Sequence, residues 1–149
     1  MKKEKLFLNN STHVVDLAFH LGGRPKEMCT FTGGGLSWHP ASSIFTGAGV
    51  SENGALFSYQ ANWESAGRWS VEMLTMNHRL IFRPMEKLQI QKKGSVAVEF
   101  AECDYALDEA YKPGLYLQTK NFLNNVTVDM CDIEYHTQMT ETYYRIAAY

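Results

Sequence analysis

The spacing of apolar positions changes period along the chain. Val14, Leu17, Ala18 and Leu21 recur at i, i+3, i+4 and i+7, one stripe of a helix over about 11–21. Asn10 or Ser11 can cap its start, and Gly22-Gly23 followed by Pro25 ends it. Further on the period falls to two: Ala55, Phe57, Tyr59, Ala61 and Trp63 alternate with Leu56, Ser58, Gln60 and Asn62, which predicts a strand. Trp69, Val71, Met73 and Thr75 repeat the alternation.

The punctuation between these runs predicts hairpins. Asn53-Gly54 separates 44–50 from 55–63, and both residues tolerate the positive φ that a two-residue type I′ turn requires. Glu64-Ser65-Ala66-Gly67 leads into Trp69, and Lys92-Lys93-Gly94 joins 88–91 to 96–100. Connections this short make neighbouring strands antiparallel, so the centre is a meander. Helical spacing then returns. Pro113 opens a segment with Leu115, Gln118, Thr119 and Phe122 on one face, broken at Asn124-Asn125. Over about 130–149, Ile133, Thr137, Thr140 and Tyr144 form one stripe, with Met139, Tyr143, Ile146 and Ala147 beside it. The order predicts an α+β fold over 1–149: an open, mostly antiparallel sheet with helices on one face.

Composition narrows the function classes. The 149 residues are 45% hydrophobic and 20% charged, which suffices for one globular domain and excludes disorder. A net charge of −2 and no long run of Lys or Arg leave no basis for nucleic-acid or membrane-surface binding. Asp16 and His20 interrupt the best apolar stretch, and Leu6-Phe7-Leu8 is too short for a secretory core. Cys29, Cys103 and Cys131 form no CxxC pair, so reduced thiols and a cytoplasmic location are expected.

Candidate chemistry concentrates on the first helix. Asn9, His13, Asp16 and His20 share one side of it. His13, Asp16 and His20 could ligate a divalent metal, although no fourth ligand has a fixed spacing. His13 could instead transfer protons, since the positive end of a helix favours a neutral imidazole. The same residues could also simply satisfy local backbone groups. Gly33-Gly34-Gly35 and Gly47-Ala48-Gly49 do not complete a GxGxxG, because Trp38 and Glu52 stand where its third glycine belongs. Phe57, Tyr59, Trp63 and Trp69 suit a sheet core or a sugar platform.

The run from Thr12 to Glu27, with His13, Asp16-Leu17, Leu21-Gly22, Pro25 and Glu27, resembles the HxxDL...LGxPxE signature that opens the C-terminal domain of the Gfo/Idh/MocA oxidoreductases. Glu52-Asn53-Gly54-Ala55 with Tyr59-Gln60-Ala61-Asn62-Trp63, Gly67-Arg68-Trp69-Ser70-Val71-Glu72, Arg79-Leu80-Ile81-Phe82-Arg83-Pro84 and Tyr111-Lys112-Pro113-Gly114-Leu115-Tyr116 follow in the same order. The resemblance implies a substrate-binding and oligomerisation domain acting on a sugar or sugar nucleotide. It places His13 and Asn9 at the catalytic pair and Asp16, Trp63, Arg68 and Tyr111 on the substrate side. Asn9 stands where the family has Asp, and an amide can orient His13 but cannot stabilise an imidazolium as a carboxylate would. The family's Rossmann domain, with its GxGxxG and EKP lysine, is missing, and 149 residues leave no room for it. This chain is therefore expected to bind no cofactor and to be inactive alone, with NAD or NADP belonging to a full-length homologue. A homo-oligomer through the open sheet face is expected, with a small sugar-like ligand, no nucleic acid and no membrane. Alternatives are a standalone dimerisation or partner-binding module, or a cofactor-free pocket using His13 and Asp16.

Overall fold

A computed structural model of the protein describes residues 5–128 and 130–149, so the basic start at 1–4 lies outside the described residues. The first helix, α1 (Thr12–Gly22), is present where the apolar stripe puts it, but it does not start there. A π-helical turn, Phe7–Ser11, runs straight into it. Ser11 is helical and buried and caps nothing. Phe7 explains the extension, since its ring packs on Phe45 with centroids 5.1 Å apart and, with Leu8 beside it, draws this segment down onto the sheet. The Gly23 N–H, at φ 89°, bonds the Phe19 carbonyl at 3.0 Å and ends α1 as the glycine pair implied.

The strands divide into two antiparallel sheets rather than one. β1 (Pro25–Gly33), β2 (Ile44–Ser51) and β3 (Leu56–Asn62) pair in that order. β4 (Val71–Leu74), β5 (His78–Phe82), β6 (Leu88–Lys92) and β7 (Glu99–Phe100) form the second meander. The fold is α+β with open antiparallel sheets, as expected. β7 is shorter than the 96–100 expected, because pairing begins only at Ile90 with Glu99. The turn at Asn53-Gly54 also differs from the two-residue type I′ form. Ser51 N bonds Ala55 O at 2.9 Å, and only Gly54 takes positive φ, at 79°. The loop is therefore three residues long, and the single left-handed position falls on the glycine.

Helices cover one face of the first sheet. Phe45 and Gly47 on β2, Phe57, Tyr59 and Ala61 on β3 and Met28 on β1 point to that face, where Val15 and Phe19 of α1 meet the last helix, α4 (Ile133–Ala147). Tyr59 pairs directly with Gly47, and Phe57 with Gly49. The aromatic rings lie over the bare glycine positions, so a Cβ at Gly47 would strike the Tyr59 ring and the Cys29 carbonyl. The Gly47-Ala48-Gly49 cluster is thus a packing device. On α4 the buried stripe is Met139, Tyr143, Ile146 and Ala147, whereas Ile133 at the head of the other expected stripe is 79% exposed. The opposite face of this sheet, with Phe31, Ala48 and Leu56, is uncovered. Two further helices, α2 (Ala106–Ala110) and α3 (Leu115–Leu123), contain no buried residue. No helix among the described residues is long and apolar enough to cross a membrane.

Candidate functional site

The cleft between α1 and the start of α4 is where the polar residues of the first helix lead. Its volume is about 600 Å³, and its walls include His13, Asp16, His20, Arg24, Cys131 and Tyr135. Three contacts fix the geometry. The Tyr143 hydroxyl, on the buried stripe of α4, donates to Asp16 Oδ1 at 2.5 Å and locks one helix to the other. Across the cleft Arg24, just before β1, donates through Nη1 to Gln138 Oε1 and lies 5.0 Å over the Tyr135 ring.

Charge placement sets the proton inventory. Tyr135 is pushed up to about 12, first by burial and then by the neighbouring Asp16 carboxylate. Its hydroxyl oxygen is buried with no hydrogen bond of acceptable geometry, so Asp16 acts on it through space. Tyr143 is raised further by burial and by its hydrogen bond to Asp16. Burial pushes the Cys131 thiol up, and Asp16 and Asp132 add to it. Cys131 is therefore a protonated thiol rather than a thiolate nucleophile. Both tyrosines remain hydrogen-bond donors at neutral pH. Asp132 caps α4, accepting from the Tyr135 N–H at 2.7 Å.

His13 is exposed on the rim, its ring 5.9 Å from that of Trp69. Because the helix already runs from Phe7, His13 does not occupy a first turn, and the helix-end field expected there belongs to earlier residues. Asn9, on the π turn, is exposed and makes no side-chain hydrogen bond to His13 among the described residues. The expected substrate-side residues separate. Asp16 lines the cleft, whereas Trp63 packs against the core at the end of β3. Arg68 is exposed in the loop before β4, and Tyr111 is exposed between α2 and α3, stacked on Tyr116 at 5.1 Å. Neither Arg68 nor Tyr111 lines the cleft. Among the described residues no group of three His, Cys, Asp or Glu side chains could hold a metal ion, so His13, Asp16 and His20 do not converge as ligands.

Arg24 has no periodic signal in the sequence, Tyr135 and Gln138 have only their spacing on one helix face, and Tyr143 is marked only as part of the stripe with Met139, Ile146 and Ala147. The Gly33-Gly34-Gly35 run has a structural role of its own. Glu64 Oε1 accepts from Gly35 N at 2.7 Å and from the buried Ser43 hydroxyl, and these two bonds hold the Glu64 carboxyl below its ordinary value. No protein-family model, no curated protein and no solved structure matches this chain.

Proposed function

We propose that the cleft between α1 and α4 is a small-molecule site, and that this chain is the substrate-handling domain of an NAD(P)-dependent oxidoreductase of the Gfo/Idh/MocA kind. The substrate class is a sugar or sugar nucleotide. The observation that carries the reading is the convergence of His13, Asp16, Arg24 and Tyr135 from α1, the start of β1 and α4 on one cleft. In that role Asp16 and Gln138 hold hydroxyl groups, and His13 on the rim moves a proton at the reacting oxygen. NAD or NADP would supply the hydride chemistry from the nucleotide-binding domain of a full-length member. The three cysteines, all free, fit a reducing, cytoplasmic location.

Amide chemical shifts on titration with glucose, inositol and a sugar nucleotide test the site. Saturable shifts should cluster at His13, Asp16 and Tyr135, and His13→Ala should keep the binding while removing catalysis in a full-length enzyme. Shifts elsewhere only, or none, would end the reading.

A second reading is a module that dimerises or binds a partner. It is favoured by the uncovered sheet face, where Phe31 is 66% and Leu56 83% exposed. Light scattering should then give a dimer that Leu56→Lys dissociates. A strict monomer at high concentration removes this option.

A further inference from the structure

The cleft contains charges of both signs, but they are not equally engaged. Asp16 accepts from Tyr143, and Asp132 accepts from the Tyr135 N–H. Arg24 differs. It is half-buried, and among the described residues no carboxylate lies within ion-pair distance of it. Asp16 acts on the same Tyr135 hydroxyl yet stands beyond that distance from the guanidinium. The partners of Arg24 are neutral: the Gln138 amide oxygen and the Tyr135 ring.

The guanidinium thus makes no direct ion pair among the described residues, and Asp16, Asp132 and Glu134 on the same cleft offset its charge only from beyond ion-pair distance. The ring and the amide also remove much of the rotamer freedom of a long side chain, so the group is pre-organised before any ligand arrives. Its Nε and Nη2 donors make no hydrogen bond within the chain among the described residues. Two adjacent N–H groups in one plane match the two oxygens of a carboxylate or phosphate. Glu134, on the wall, is exposed and solvated, and so offsets this charge weakly.

We propose that Arg24 is the anion-binding arm of the cleft, so that the ligand carries a carboxylate or a phosphate beside its hydroxyl groups. This inference rests on the cleft being a small-molecule site, and the test separates the two. Calorimetric and amide-shift titrations of the whole chain would use D-glucose, D-gluconate and D-glucose 6-phosphate at low salt. One of the two anions should bind at least tenfold tighter than glucose, with shifts at Arg24, Tyr135 and Gln138. Which anion is preferred decides between carboxylate and phosphate. Arg24→Gln should erase that preference, weakening the favoured anion at least tenfold more than it weakens glucose, as loss of a charge-assisted contact requires. Glucose binding in the cleft with no preference for either anion overturns this inference alone. Binding of none of the three overturns the small-molecule reading and this inference with it. If Arg24→Gln unfolds, raised salt on the wild type replaces it: anion binding that does not weaken with salt while glucose binding stays constant overturns the proposal.

Discussion

The Tyr143 hydroxyl reaches Asp16, on the cleft wall, across 127 positions of sequence and joins α4 to α1. The donor is buried and the acceptor, on the cleft wall, half-buried, so the bond is only partly open to water. Tyr143→Phe should therefore cost about 1–2 kcal/mol, toward the lower end of what bonds to charged groups contribute. Urea unfolding checks it: the midpoint should fall at unchanged slope. Asp16→Asn should cost less, because the amide oxygen can still accept.

Alkaline stability follows from two other tyrosines. Burial pushes Tyr59 up to about 12, with the Arg145 charge opposing, and Tyr135 reaches about 12 by burial and Asp16. Both hydroxyls are favoured neutral in the fold. Their contribution is thus complete below the unfolded value near 10 and is lost as pH rises from about 10 through about 12. Tyrosinate absorbance should lag its expected course over that window while unfolding begins. Tyr59→Phe should flatten the alkaline loss. At neutral pH it should be neutral or slightly stabilising, since the Tyr59 hydroxyl is buried without a partner.

The glycines of β2 are crowded where Gly67 is not. A Cβ at Gly47 meets Tyr59 and the Cys29 carbonyl, and one at Gly49 meets the Glu27 carbonyl and the Phe57 ring. Two of these neighbours are backbone and cannot swing away. Gly47→Ala and Gly49→Ala should each cost about 1–3 kcal/mol or more, as overpacking does. Gly67→Ala, with open space around it and no positive φ, should stay within about 0.5 kcal/mol. Equal melting points for the three variants would show that the rings of Tyr59 and Phe57 do not depend on bare positions.

These contrasts show what a single sequence discloses. The stripe Val14, Leu17, Ala18, Leu21 and the alternation through Phe57 and Tyr59 are local periodicities, and both elements formed. β1 was not foreseen, because a register shift between Pro25 and Glu27 breaks its alternation, leaving Met28 and Thr30 inward without a longer run. The π turn was hidden because only two apolar residues, Phe7 and Leu8, anchor it before the polar Asn9-Asn10-Ser11. The cleft was half visible. His13 and Asp16 sit on one helix and share a face, but Arg24 and Gln138 meet across 114 positions, and no local pattern encodes that pairing. Trp63 was open between sheet core and sugar platform, and it packs against the core, since period two says which face a ring takes and not whether a ligand or the core meets it.

His39 ties the start of the chain to the rest. It is 2% exposed, its Nε2 accepts from the Leu6 N–H at 3.2 Å, and its Nδ1 donates to the Ala41 carbonyl at 2.9 Å. The two partners assign the neutral tautomer with the proton on Nδ1. Two further bonds hold the same segment to α4 and the residues after it: Lys5 Nζ to the Tyr144 hydroxyl at 2.7 Å and Phe7 N to the Tyr149 hydroxyl at 3.2 Å. His39→Ala leaves a cavity and two unpaired backbone groups, a loss of about 2–4 kcal/mol. The effect should begin locally. Amide exchange at Leu6 and Phe7 should quicken before that at Phe19, which lies in α1 beyond the π turn. Uniform acceleration at all three would mean that His39 supports the whole core and that the π turn has no separate opening.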